Sequence, residues 1–208
     1  MIFTPGTVKP PFANTAFDVV VIGSSMGGMQ ALTVILSRLP AHFPASILIV
    51  QHLSRHRPSR LPPILSRQTA LIVREAHDGD HLRPGIVFIA PSNRHLLLKG
   101  EGILSLSDGE RVNYSRPAID PLFESAAASL RERVIAVILT GSNSDGARGA
   151  AAVKLMGGVV IAQDEATSEY FTMPEAAINE GVVDEILPLT QIANRLIALT
   201  ITITANNN

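Results

Sequence analysis

The chain has 208 residues, 46% hydrophobic and 17% charged, with a formal net charge of -1. That length suits a single domain with a sizeable core, and the near-neutral balance gives no electrostatic case for binding nucleic acid or an anionic membrane. Cysteine is absent, which excludes disulfides, zinc–thiolate sites and cysteine nucleophiles.

Residues 1–16 hold three prolines and no hydrophobic periodicity, and read as a flexible arm. No apolar run reaches the roughly 20 residues of a membrane span. The N-terminus lacks a basic stretch followed by an apolar one, so no secretory signal is apparent and no membrane insertion is expected. The expected location is the cytoplasm.

From Phe17 the pattern alternates between strand and helix. Phe17–Ile22 is a β-branched strand, followed by a helix over Gly27–Arg38 that ends before Leu39-Pro40. Ser46–Val50 is a second buried strand, and Leu61–Gln68 a helix opened by prolines. Short strands follow at Leu71–Glu75 and Gly85–Ala90. His95–Lys99 and Ile103–Ser107 form a hairpin around Gly100-Glu101-Gly102. Pro121–Arg131 is an alanine-rich helix, Val134–Thr140 a strand that is apolar up to its last residue, and Gly146–Met156 a helix. Val159–Gln163 is a strand, Met173–Glu180 a short helix, Val182–Leu187 a strand or extended edge and Thr190–Leu199 a helix. Residues 17–199 thus form the folded domain, and 200–208 a disordered tail. The βαβ alternation predicts a mostly parallel sheet with helices on both faces and a small antiparallel piece.

Three strand ends carry chemistry. Gly23-Ser24-Ser25-Met26-Gly27 reads G-x-S-x-G in the strand–turn–helix setting of a nucleophile elbow, and puts Ser25 at the C-terminal rim of the sheet. The same glycine-rich turn also suits a phosphate-binding loop or a simple tight turn, with Ser25 as a helix N-cap. Ser46–Val50 runs into Gln51-His52, so an imidazole emerges at that rim. Val134–Thr140 runs into Gly141-Ser142-Asn143-Ser144-Asp145-Gly146, which adds a carboxylate there. Taken alone, His52 reads as a strand cap in preference to a base, and Asp145 before a glycine as a turn or helix cap. Together they are the parts of a nucleophilic hydrolase: a hydroxyl, a base to take its proton, and an acid that orients the base. The Met26 N–H, at the opening of the helix, would face a developing oxyanion.

The remaining histidines read as loop residues. His77 and His81 flank Asp78-Gly79-Asp80 in a solvated turn, His42 lies in a turn, and His56 sits in a basic, proline-containing loop. His95, at the start of a hairpin strand, has two readings: lining the cleft or, ahead of that, serving the hydrogen bonding of its loop. No metal site is expected.

The chain order Ser25, His52, Asp145 differs from that of the α/β-hydrolases, where the acid precedes the histidine. Ile22-Gly23-Ser24-Ser25-Met26-Gly27-Gly28, Gln51-His52 and Thr140–Gly146 resemble the catalytic domain of the chemotaxis-type protein-glutamate methylesterases. So do Ile89-Ala90-Pro91 with Asn93-Arg94-His95, the run Arg116–Phe123, Gly157-Gly158 with Ala162-Gln163-Asp164, and Met173-Pro174. The resemblance covers about residues 17 to 199. It implies a doubly wound, three-layer α/β sandwich. It also implies a serine hydrolase that removes γ-glutamyl methyl esters from methyl-accepting chemoreceptors, releases methanol and can deamidate receptor glutamines.

Position by position, the resemblance makes Ser25 the nucleophile, His52 the base and Asp145 the orienting acid. Oxyanion or substrate contacts fall at Met26 and Ser142. Met26 stands where the family often has threonine or alanine, so its backbone N–H alone serves; Ser142-Asn143 replaces the usual Met-Gly. No cofactor is implied. The familiar regulators carry an N-terminal receiver domain, whereas only about 16 residues precede the first strand here. Either regulation is absent, or a receiver-domain regulator acts in trans, or the chain is a member of the stand-alone methylesterase-like branch.

Two other readings use the same residues. One is a small-molecule esterase or amidase, the other a non-catalytic binding module. A dinucleotide fold fits poorly: the turn lacks a G-x-G start, and no acidic residue ends the second strand.

Overall fold

A computed structural model describes residues 15–52 and 60–200. Apart from Thr15, Ala16 and Thr200, the expected arm and tail lie outside the described residues, as does His56. Thr200 is the last residue of a helix, not part of the tail.

Seven strands form one parallel sheet in the order β3-β4-β2-β1-β7-β8-β9. These are β1 (Val19–Ser24), β2 (Ser46–Gln51), β3 (Ile72–Glu75), β4 (Ile86–Ile89), β7 (Val134–Ile138), β8 (Val159–Gln163) and β9 (Glu185–Leu187). β5 (His95–Lys99) and β6 (Ile103–Ser107) pair antiparallel as a separate hairpin. The central strands are apolar except at their ends because both their faces are covered. Along β1, Val19 and Val21 enter one core while Val20 and Ile22 enter the other.

The helices are α1 (Gly28–Leu36), α2 (Leu61–Leu65), α3 (Ile119–Leu130), α4 (Ala147–Leu155), α5 (Thr172–Asn179) and α6 (Leu189–Thr200). On one face, Leu32 and Ile35 of α1, Leu61 and Leu65 of α2, and Ile192 and Leu196 of α6 cover the sheet. The other face is covered by Phe123 of α3, Val153 of α4, Met173 of α5 and Leu96 and Leu98 of the hairpin. The hairpin is anchored to α3: Ser125 Oγ accepts from Leu98 N–H at 3.0 Å, and Ser129 Oγ donates to Leu98 O at 2.9 Å. Two serine hydroxyls therefore satisfy backbone groups at the edge of β5.

β1 pairs with β2 on one side and with β7 on the other. The chain winds outward from β1 through β2, then returns to start the other half at β7. The gap between the loops after β1 and β7 is the topological switch point, the usual ligand address of an open parallel sheet. Two of the three chemistry-bearing loops flank that gap, and the third follows β2 next to β1.

Candidate active site

At the end of β1 the backbone turns sharply. Ser25 N–H donates to Thr140 O at 3.0 Å, drawing the serine against the loop after β7. A Cβ on Gly141 would lie 2.9 Å from Ser25 Cβ, so that loop reaches the serine only because residue 141 has no side chain. Gly27 is the N-cap of α1, and its left-handed φ of 78° delays the helix to Gly28. Met26 therefore lies in the turn before the helix rather than opening it, which corrects the sequence expectation. Its N–H makes no hydrogen bond among the described residues and its side chain is exposed. Ser25 does not act as the N-cap.

His52 follows β2, and its N–H donates to Ser24 O at 3.0 Å, which continues the β1–β2 ladder one step beyond the sheet. Its Nε2 lies 2.8 Å from Asp145 Oδ2. A carboxylate only accepts, so Nε2 carries the proton and the Nδ1 lone pair of the neutral ring is the free base. The structure thus brings His52 and Asp145 into direct contact and sets Ser25 on the adjoining strand end. No hydrogen bond joins the Ser25 hydroxyl to His52.

Asp145 is fully buried. Besides His52, its carboxylate accepts from Ile119 N–H at 2.7 Å, Asp120 N–H at 3.1 Å and Asn113 Nδ2 at 3.1 Å. Two of these donors are the opening N–H groups of α3, so Asp145 caps α3 and not its own helix, α4. Burial works to raise its pKa, but the hydrogen bonds from His52, Ile119 and Asp120 outweigh it and hold the carboxyl below its ordinary value.

Asp120 mirrors this arrangement. It lies in the first turn of α3, yet its Oδ1 accepts from Gly146 N–H at 2.9 Å and Gly149 N–H at 2.8 Å, at the start of α4. Asn113 Nδ2 donates to its Oδ2 at 3.1 Å, so one amide joins both carboxylates. Burial pushes the Asp120 pKa up, the Asp145 charge adds to the rise, and the Gly149 N–H, Arg148 and Asn113 offset part of it.

Gln51 is the last residue of β2 and is buried. Its Oε1 accepts from Ser24 Oγ at 2.6 Å, while its Nε2 donates to Ser25 O at 2.7 Å and His52 O at 3.0 Å. Neither Gln51 nor Asp120 stood out in the sequence as a site residue. The one local signal was a buried-pattern element ending on a polar side chain.

Ser142 is exposed on the loop after β7 and makes no hydrogen bond among the described residues. Its neighbour Asn143 accepts from Asp145 N–H at 3.2 Å and shapes the turn that presents the acid. Ser25, Gly28, Met29, Gln51, Leu61 and Glu169 are among the residues lining an open cleft of about 350 Å³.

The other histidines lie apart from these groups. His95 is buried: its Nδ1 accepts from Ala118 N–H at 3.2 Å and its Nε2 donates to Glu110 O at 2.8 Å, which fixes one neutral tautomer and joins the loop before α3 to the hairpin. Asp80 Oδ2 accepts from His77 N–H at 2.9 Å. Asp78 accepts from Leu106 N–H and Ser105 Oγ, so the turn between His77 and His81 is tied to β6. Among the described residues no cluster of His, Asp and Glu is disposed to hold a metal, and no helix is long and apolar enough to cross a membrane.

Comparison with known proteins agrees with this architecture. Residues 20–196 match the family model described as CheB methylesterase. The chain is similar to protein-glutamate methylesterase/protein-glutamine glutaminase 2 of Anaeromyxobacter dehalogenans, at 48% identity over 190 residues, covering 91% of this chain and 55% of the relative. It is 43% identical over 204 residues to the Thermotoga maritima protein-glutamate methylesterase/protein-glutamine glutaminase, covering 96% of this chain and 59% of that protein. The chain therefore spans a little over half the length of these two curated relatives. The crystal structure of the Thermotoga maritima CheB methylesterase catalytic domain superposes with a TM-score of 0.85 at 42% identity, covering 88% of this chain and 98% of that domain. Shared sequence along nearly the whole chain and a shared fold lead to one conclusion: the chain belongs to the CheB methylesterase family.

Proposed function

We propose that this chain is a serine hydrolase that demethylates glutamate γ-methyl esters on a methyl-accepting receptor in the cytoplasm. The observation that carries the reading is the 2.8 Å contact between His52 Nε2 and buried Asp145, at the switch point beside Ser25. The names of the relatives support the same pair of activities, ester hydrolysis and glutamine deamidation.

The chemistry follows from the protonation states. A serine hydroxyl is un-ionised at neutral pH and needs a base in the transition state. With Nε2–H directed at Asp145, His52 Nδ1 takes the Ser25 proton as Oγ attacks the ester carbonyl. Negative charge collects on the carbonyl oxygen, where the Met26 N–H stabilises it. The carbon–oxygen bond to the methoxy group breaks, and the imidazolium returns its proton to give methanol and a glutamyl–Ser25 ester. Water, deprotonated by His52, then attacks that ester, restoring Ser25 and releasing the glutamate carboxylate. With a glutamine substrate the leaving group is ammonia. Asp145 keeps its charge throughout and steadies the imidazolium. Ser142 is proposed as a substrate contact at the rim, and a receiver-domain protein acting in trans as the regulator.

The test is direct. The purified chain is incubated with receptor methylated with tritiated methyl groups, and volatile methanol is counted alongside labelling of Ser25 by a fluorophosphonate. Methanol release that disappears in Ser25→Ala supports the proposal. Labelling with hydrolysis of soluble esters but no methanol from receptor would favour the small-molecule esterase. No labelling of the folded chain would favour a binding module.

A further inference from the structure

We propose that Gln51 is a positioning residue for the oxyanion donor, setting the direction of the Met26 N–H without touching substrate. The proposal rests on the reading of Ser25 as an ester-cleaving nucleophile.

The Ser25 carbonyl and the Met26 N–H belong to one planar peptide unit and point in opposite directions. Whatever holds Ser25 O therefore aims the Met26 N–H. Two donors hold it: Gln51 Nε2 at 2.7 Å and Gly28 N–H at 3.0 Å. The next peptide is fixed as well, because Thr140 Oγ1 donates to Met26 O at 2.9 Å.

The orientation of the Gln51 amide is not a free choice. With Nε2 and Oε1 exchanged, an oxygen would face two carbonyl oxygens, those of Ser25 and His52. The Ser24 hydroxyl completes the arrangement by donating to Oε1 at 2.6 Å. The second Nε2–H reaches His52 O at 3.0 Å. One buried side chain thus ties the nucleophile's peptide and the base's backbone together across two strands.

α1 closes over the pair. A Cβ on Gly28 would sit 2.1 Å from Gln51 Oε1 and 2.7 Å from Ser24 Cβ, so the helix can pack here only with glycine at its first position. Gln51 and Ser25 line the same open cleft. Gln51 Nε2 donates to backbone carbonyls and its Oε1 accepts from Ser24, so none of its hydrogen bonds engages the Met26 N–H.

A donor aimed wrongly weakens the tetrahedral state more than the bound ester, so its loss falls on turnover. Gln51→Met, which keeps shape but removes the amide, is expected to lower kcat on p-nitrophenyl acetate about 10- to 100-fold while KM stays within about threefold. Phenylboronic acid, which forms a tetrahedral adduct on a serine and places an oxygen where the oxyanion forms, should lose affinity in parallel. Ser24→Ala, which frees Oε1, should lower kcat about three- to tenfold.

The experiment compares kcat, KM and phenylboronic acid inhibition in wild type and both variants, with circular dichroism as the check of folding. A folded Gln51→Met with kcat within about twofold of wild type, a loss confined to KM, or unchanged phenylboronic acid affinity would overturn the proposal. If Gln51→Met does not fold, Ser24→Ala decides, and wild-type turnover there would overturn it. A wild-type chain that neither hydrolyses the ester nor reacts with a fluorophosphonate at Ser25 would instead sink the esterase reading itself.

Discussion

Asp145 and Asp120 cap each other's helices. Asp145, just before α4, accepts the opening N–H groups of α3, and Asp120, in the first turn of α3, accepts N–H groups at the start of α4. Each carboxylate lies against the positive end of the other's helix, and Asn113 bridges them. α3 and α4 are thereby locked in one relative position, and the acid that holds His52 is fixed by a helix distant in sequence.

The two carboxyls have opposite linkage to pH. The Asp145 pKa lies below its unfolded value of about 3.9, so its contribution is fully present above that pH and fades as pH falls through the folded value. The Asp120 pKa is raised, so folding loses stability as pH climbs from about 3.9 through the raised value. In urea titrations across this range, the deficit of Asp145→Asn relative to wild type should be largest at neutral pH and shrink in acid. Asp120→Asn should gain on wild type as pH rises. Parallel pH slopes for the two variants would contradict this assignment.

The catalytic variants should rank unequally. Ser25→Ala and His52→Ala should each lower kcat/KM by about 10⁴-fold or more, because in the proposed mechanism each removes an atom that forms or breaks a bond. Asp145→Asn should keep measurable activity, down about 10²- to 10⁴-fold, because the base survives but the tautomer is no longer imposed. Steady-state assays on receptor or soluble ester check the ranking.

Gly28→Ala tests the contact between α1 and the strand ends. The added methyl would meet Gln51 Oε1 at 2.1 Å, so the amide, the helix or both must move. A loss of about 1–3 kcal/mol in stability is expected, together with lower kcat. Thermal melts and steady-state kinetics on the same sample give both numbers.

Arg133→Ala should separate folding from catalysis. Arg133 donates to both oxygens of Asp18, which is 3% exposed, and lies at the end of the strands opposite the active site. Removing it leaves a buried carboxylate without its cation, and about 2–4 kcal/mol of stability should go. Below its melting transition the variant should retain wild-type kcat, measured on the same ester.

Much of the fold was legible because buried parallel strands announce themselves as uninterrupted Val/Ile/Leu runs. The hairpin strands and Val159–Gln163 fall where the pattern placed them. Tertiary partners moved the other ends. α3 starts at Ile119 rather than Pro121 because Asp145 accepts the N–H groups of Ile119 and Asp120, donors that precede the proline. β9 is shorter than expected, at Glu185–Leu187; just before it Asp184 N–H donates to Val160 O, and the Asp184 carboxylate accepts from Val160 N–H and Lys154.

The site followed the same rule. Ser25, His52 and Asp145 were visible as polar residues at the ends of apolar strands. Gln51 and Asp120 were not, since a single glutamine or a first-turn aspartate looks the same in sequence whether it faces solvent or a carbonyl across the sheet. The role of Asn113 depends on two carboxylates that meet only in the folded chain.

The central position of β1 also sets an order of events during synthesis. Val19 pairs with Ser46 on one side and with Val134 on the other, so one flank of the strand is available early and the second appears only after more than half the chain has left the ribosome. A nascent chain carries its serine and histidine long before it carries the aspartate, and until β7 arrives the Ser25 N–H has no Thr140 carbonyl to hold it. The proposed grouping of Ser25, His52 and Asp145 can therefore assemble only once β7 has paired with β1.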